Sequence, residues 1–95
     1  MTTNENDSAK MWEGAEGHRF ALEVLQLPLR RRILRIIASG IKSTDQIERE
    51  LGISSTLAAY HLAMLEKALV IERYEGDWRA TSTGQLYLDK VEAGR

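Results

Sequence analysis

The 95-residue sequence has no cysteine. That absence removes disulfides, thiolate zinc sites, iron–sulfur clusters and cysteine nucleophiles together. Neither charge sign dominates: thirteen Lys and Arg face fourteen Asp and Glu, a net charge of −1. The chain therefore lacks the overall basicity that announces nucleic-acid binding, and any case for DNA has to come from pattern. No apolar run approaches the roughly 18 residues of a membrane helix, and the polar stretch after Met1 offers no secretory h-region. No membrane association and a cytoplasmic location are the expectations. The length excludes two separate cores, while 43% hydrophobic residues and a single proline fit one ordinary globular domain.

The charge that is present is unevenly placed. Within residues 1–16, Lys10 stands against Glu5, Asp7, Glu13 and Glu16, a local charge of −3, which leaves +2 on residues 17–95. Residues 1–16 read as a mobile acidic N-terminal tail and 17–95 as the folded domain. Trp12 is the apolar exception in that tail and reads as casual surface packing.

From Gly17 the spacing turns helical, with Phe20, Ala21, Val24 and Leu25 on one face. Pro28 ends that helix and suits the first turn of the next. The second helix, Leu29 to Ser39, places Leu29, Ile33, Ile36 and Ile37 inward with Leu34 at the margin, and Gly40 stops it. After a short extended step at Ile41–Lys42, Ser43 with Gln46 three residues on forms a capping-box signature for a third helix, which ends at Gly52. Ser54 can cap a fourth helix, from Ser55 to Lys67 or Ala68. It would bury Ala58, Leu62 and Leu65 and leave Ser55, Thr56, Ala59, Tyr60 and Ala63 on the opposite face. Val70 to Tyr74 and Trp78 to Thr81 read as a hairpin around Glu75–Asp77. Thr81 or Ser82 can cap a last helix through Glu92.

The fold class is α+β and mostly helical: a winged helix-turn-helix with a two-stranded wing and an additional C-terminal helix. Two helices joined by Leu51-Gly-Ile-Ser54, the second followed at once by a ribbon, form that layout. An α-helix fits the major groove, the helix before it braces it, and a hairpin beside it can follow the phosphate backbone.

Four segments carry a family resemblance: Leu29 to Ala38, Ile47-Glu-Arg-Glu-Leu-Gly-Ile-Ser54, Ala59-Tyr-His-Leu62 with Leu65-Glu-Lys-Ala-Leu-Val70, and Thr81-Ser-Thr-Gly84. Over residues 17–92 the chain resembles the ArsR-type winged-helix regulators, in an archaeal-like variant. Its recognition-helix signature is shared with MarR-like and PadR-like groups. The resemblance implies a homodimeric transcriptional repressor whose first and last helices build the dimer interface. The chain departs from that pattern in having no Cys, with only His18 and His61 as histidines, which excludes a thiolate metal sensor. Ala68 stands where a glycine usually precedes the wing, and Ala59 where a hydroxyl or basic residue often sits. No cofactor or metal is implied.

The DNA-contact residues expected on this reading are Ser54, Ser55, Thr56, Ala59 and Tyr60 on the recognition helix, with Arg73 and Arg79 on the wing. If the strands pair around Glu75–Asp77, the two arginines lie near one another across the hairpin. The acidic tip would repel phosphate, so the sides of the wing rather than its end should meet DNA. Arg30, Arg31, Arg32 and Arg35 have three open readings: a phosphate clamp, a dimer-facing set paired with Glu16 or Glu23, or a solvated face. His61 reads as a buried, hydrogen-bonded scaffold residue, His18 as exposed or at an interface, and Trp78 as hairpin core. Tyr60 is open between base or phosphate contact and plain surface packing. Two functions are carried forward. The first is a sequence-specific double-stranded DNA-binding regulator, and the alternative is a winged-helix protein-interaction module without direct DNA binding. No arrangement of nucleophile, base or paired carboxylates supports an enzyme.

Overall fold

A computed structural model describes residues 11–93, which form α1 (Gly14–Val24), α2 (Pro28–Ala38), α3 (Thr44–Leu51), α4 (Ser55–Lys67), β1 (Ile71–Tyr74), β2 (Asp77–Ala80) and α5 (Ser82–Ala93). This is the expected winged helix-turn-helix with its added C-terminal helix. The first helix starts at Gly14, three residues ahead of the start that apolar spacing indicates. Residues 1–10 of the expected acidic tail lie outside the described residues.

Local chemistry sets the helix ends. Leu27 is extended and Pro28 occupies the first turn of α2, as its fixed φ favours. Ser43 and Gln46 complete the capping box at α3: the Ser43 hydroxyl accepts from the Gln46 amide at 3.1 Å, and the Gln46 side chain accepts from the Ser43 amide at 2.8 Å. Gly52 ends α3 in the left-handed region, φ 65°, so the chain can reverse within three residues before Ser54 caps α4 through the Leu57 amide at 3.1 Å. At the far end of α4 the Leu69 amide bonds Glu66 O and the Val70 amide bonds Leu65 O, a Schellman motif. Its left-handed residue is Leu69, φ 65°, whereas Ala68 keeps φ −78°. The alanine that replaces the usual glycine therefore carries no backbone strain.

The core is assembled from every element. Ala21, Val24 and Leu25 of the α1 region meet Ile33, Leu34 and Ile37 of α2, Ile47 of α3, Ala58, Leu62 and Leu65 of α4, Ile71 and Trp78 of the hairpin, and Leu88 of α5. Leu34, expected at the margin, is fully buried, and Ile36 is only partly buried. The inward stripe of α2 is thus turned toward Leu34, because β2, α5 and α4 pack against that helix. Full burial of one such aliphatic side chain contributes about 1.5–3 kcal/mol, so these positions fix the relative placement of α3 and α4.

The wing pairs antiparallel in the register Ile71↔Ala80, Glu72↔Arg79, Arg73↔Trp78 and Tyr74↔Asp77. Its tip is the two-residue turn Glu75–Gly76, with φ 51° and 87°, the signature of a type I′ turn. The extended step after α2 adds an isolated bridge: Lys42 and Trp78 exchange backbone hydrogen bonds of 3.0 and 2.8 Å. The Trp78 indole then donates to Thr44 Oγ1 at 3.1 Å, which ties the wing to the first turn of α3.

Candidate nucleic-acid interface

Four residues of α4 stand on one exposed stripe: Thr56, Ala59, Tyr60 and Ala63, at spacings of three, four and seven. Ser54 and Ser55 sit exposed at its N-terminus, where helix geometry leaves amide donors and a positive dipole end. The Ser54 oxygen accepts the capping bond, and its hydroxyl hydrogen is left to donate elsewhere. This face turns away from the core side formed by Ala58, His61, Leu62 and Leu65.

A groove of about 360 Å³ runs beside the stripe, walled by Thr44, Ser55, Ala59 and Ala63 on the helix-turn-helix side and by Arg73 and Trp78 on the wing. Glu48 and Glu66 also line it. The Arg73 guanidinium lies 4.1 Å from the centre of the Trp78 ring and donates to Gly76 O at 3.2 Å. Stacking and tip contact together hold this cation against the recognition side of the ribbon.

Arg79 is placed differently. It pairs across the ribbon with Glu72, Nε to Oε2 2.9 Å, and stacks 4.2 Å from the Tyr74 ring centre. Glu72, Tyr74, Asp77 and Arg79 share the ribbon face opposite Ile71, Arg73, Trp78 and Ala80. The expectation that Arg73 and Arg79 approach one another is corrected: they project from opposite faces. The physical reason is register. A turn through Glu75–Asp77 would set residue 73 opposite 79, whereas the observed two-residue turn slips the pairing by one and reverses the face.

The arginine cluster of α2 divides: Arg32 and Arg35 are exposed, as on a solvated face, whereas Arg30 and Arg31 are engaged inward. Arg30 is 4% exposed; its Nε donates to His61 Nδ1 at 3.0 Å, its Nη1 to Val24 O at 3.4 Å, and its guanidinium lies 5.3 Å from the Tyr60 ring centre. Arg31 donates from Nη1 to Leu25 O at 2.7 Å and Gln26 O at 3.0 Å, capping the carbonyl end of α1 where a cation is favoured. Neither is a solvated or phosphate-directed side chain. His61 is the buried, hydrogen-bonded scaffold that its position indicates. Burial, and then the neighbouring Arg30 charge, lower its pKa below the ordinary 6.5.

Sequence reasoning placed Ala63 on the exposed face of α4 but not among the contact residues. Its spacing of four from Ala59 was the available signal. Thr44, which orients Trp78, carried no sequence signal.

A second surface is built by the N-terminal segment, α1 and α5. The Trp12 indole donates to Ala68 O at 2.6 Å and packs edge-on against His18 and Tyr87 at 5.1 and 6.5 Å. Trp12 is thus fixed to the end of α4 rather than lying casually on the surface. Beside it, Leu22 of α1 and Leu86 of α5 are 41% and 51% exposed and border a depression of about 530 Å³. Among the described residues, no helix is long and apolar enough to cross a membrane.

Residues 28–72 match the family described as bacterial regulatory protein, arsR family. No match to the chain emerges among curated proteins. Among solved structures, the fold is similar to the homodimeric winged helix-turn-helix DNA-binding domain of a possible ArsR-family transcriptional regulator from Mycobacterium bovis. That match has a TM-score of 0.73 and 22% identity, and covers 99% of this chain and 90% of that one. Residues 28–72 are therefore similar to the arsR family of bacterial regulatory proteins, and the fold around them is that of a winged helix-turn-helix.

Proposed function

We propose that this protein is a sequence-specific double-stranded DNA-binding transcriptional regulator, acting as a homodimeric repressor. The observation that carries the reading is the exposed stripe Thr56, Ala59, Tyr60 and Ala63, left free of the core and flanked by the Arg73 side of the wing. A helix so presented enters the major groove with Ser54 and Ser55 at its N-terminal, phosphate-facing end. Arg73 supplies backbone contact from the recognition side of the ribbon, and Arg79 does so from the outer face in competition with Glu72.

The homodimer rests on the apolar face between α1 and α5. Leu22 and Leu86 are exposed there together, and a second copy of the same face would cover both by two-fold symmetry. The Mycobacterium bovis domain is likewise homodimeric. Pairing through these helices leaves both α4 stripes free for half-sites about one helical turn apart.

The test is binding of the purified chain to duplexes recovered from a randomised pool, measured by anisotropy across a salt series. With about two to four phosphate contacts per subunit, a dimer gives a log–log salt slope of about −4 to −7. Failure to recover any duplex at low salt overturns the reading. The second reading, a protein-interaction module, is favoured by one observation: no Lys or Arg precedes Lys67 in α4. Recovery of a protein complex that DNA does not displace would select it.

A further inference from the structure

The exposed stripe of α4 lacks the side chains that ordinarily read bases by paired hydrogen bonds. From Ser55 to Glu66 there is no Arg or Lys for guanine and no Asn or Gln for adenine. Its one imidazole, His61, is buried and engaged by Arg30. What the stripe presents at its centre is methyl groups, from Ala59, Ala63 and Thr56, with the hydroxyls of Ser55 and Thr56 beside them. Such small side chains let the helix backbone come close to the groove floor. Among the major-groove edges, only thymine carries a methyl group, and apolar contact with alanine or a threonine methyl is how that group is distinguished.

We propose that this face reads its operator chiefly through thymine C5-methyl groups, with Ala59 and Ala63 as the contact residues and the Thr56 methyl beside them. The inference rests on the DNA-binding reading above and adds to it the class of sequence recognised: half-sites with A·T pairs where α4 enters the groove. Tyr60, 55% exposed with Arg30 held behind its ring, borders the same stripe and limits how the helix can roll in the groove. The Thr56 hydroxyl can bond either base, and Ser55 lies at the phosphate-facing end, so both contribute orientation more than discrimination.

The experiment replaces thymines of a selected duplex, one at a time, with uracil, which deletes the methyl and keeps the hydrogen-bonding edge. Binding of the unmodified protein is expected to weaken about fourfold at each contacted thymine, the effect of losing one buried methyl, and to remain unchanged elsewhere. In Ala59→Gly or Ala63→Gly the uracil penalty should disappear at one thymine in each half-site, a different one for each variant. Duplexes that bind well yet show no uracil penalty at any position overturn the inference and leave the DNA-binding reading standing. If the pool yields no bound duplex, both fall. The uracil series on the unmodified protein decides the matter even where a glycine variant does not fold.

Discussion

Arg30 Nε donates to His61 Nδ1 at 3.0 Å, joining the first turn of α2 to the middle of α4 beneath the ring of Tyr60. The bond fixes the imidazole as the neutral tautomer with its proton on Nε2. It also places a cation in the interior, held by an imidazole nitrogen, the Val24 carbonyl and the Tyr60 face. Removing the fork while keeping the charge is the costly change. Arg30→Lys is expected to destabilise by about 2–3 kcal/mol in urea unfolding, and Arg30→Met by less, because methionine brings no buried charge. A methionine variant less stable than the lysine one would contradict this account.

The same pair sets an acid response. His61 has a lowered pKa in the folded chain, first through burial and then through the Arg30 charge. The unfolded chain binds the proton at the ordinary value of 6.5, so it holds more protons than the folded one between that value and the lowered one. The stability contribution is complete above about pH 6.5 and is lost as pH falls through that value, levelling below the folded pKa. Between pH 7.5 and 5.5 the unfolding midpoint should fall more for the unmodified protein than for His61→Gln, whose amide oxygen can still accept from Arg30. Equal slopes would remove His61 as the source.

Gly84 reverses an ordinary rule. It lies in the first turn of α5, where its amide bonds Thr81 Oγ1 at 3.0 Å, and a Cβ there would overlap the backbone carbonyl of Val70. Helix propensity alone would make Gly84→Ala stabilising by up to about 1 kcal/mol. The overlap with main chain, which cannot step aside as a flexible side chain would, makes it destabilising by about 1–3 kcal/mol. Thermal unfolding of the variant gives the sign directly.

Glu75 occupies a left-handed position, φ 51°, in the wing turn. Asparagine tolerates that region better and suits the first place of a type I′ turn. Glu75→Asn should therefore stabilise by about 0.5–1 kcal/mol. It also removes a negative charge from the wing tip, so DNA affinity at low salt should rise. Stability and affinity are read independently, by denaturation and by anisotropy.

The two wing arginines separate on DNA. Arg73→Ala should weaken binding to all sequences alike and reduce the salt slope of the dimer by about two, one contact per subunit. Arg79→Ala should cost less, because this cation is already paired with Glu72 and phosphate gains only what that pair gives up. Thr56→Ala and Tyr60→Ala should instead relax sequence preference. Equal, sequence-independent losses from all four variants would refute the assignment of roles.

Much of this was legible in local chemistry. Ser43 with Gln46, Gly52, and Ser54 marked the boundaries of α3 and α4, because caps and left-handed stops are decided within a few residues. The exposed stripe of α4 followed from helical periodicity. What escaped were relations across the fold. In Pro28-Leu-Arg-Arg-Arg-Ile-Leu nothing local distinguishes Arg30, which is buried against His61, from Arg32, which is exposed. Only the packing angle of α2 on α4 does so. The hairpin was legible to within one residue, and one residue is enough to send Arg73 and Arg79 to opposite faces.

The central claim is that the Thr56, Ala59, Tyr60 and Ala63 stripe and the Arg73 side of the wing meet duplex DNA. Amide chemical-shift perturbation of the labelled chain on titration with a selected duplex tests it most directly. Shifts are expected to concentrate in residues 54–64 and 72–80, with the α1 and α5 face around Leu22 and Leu86 unchanged. Shifts confined to that α1 and α5 face, or none at all with a duplex that binds, would contradict it.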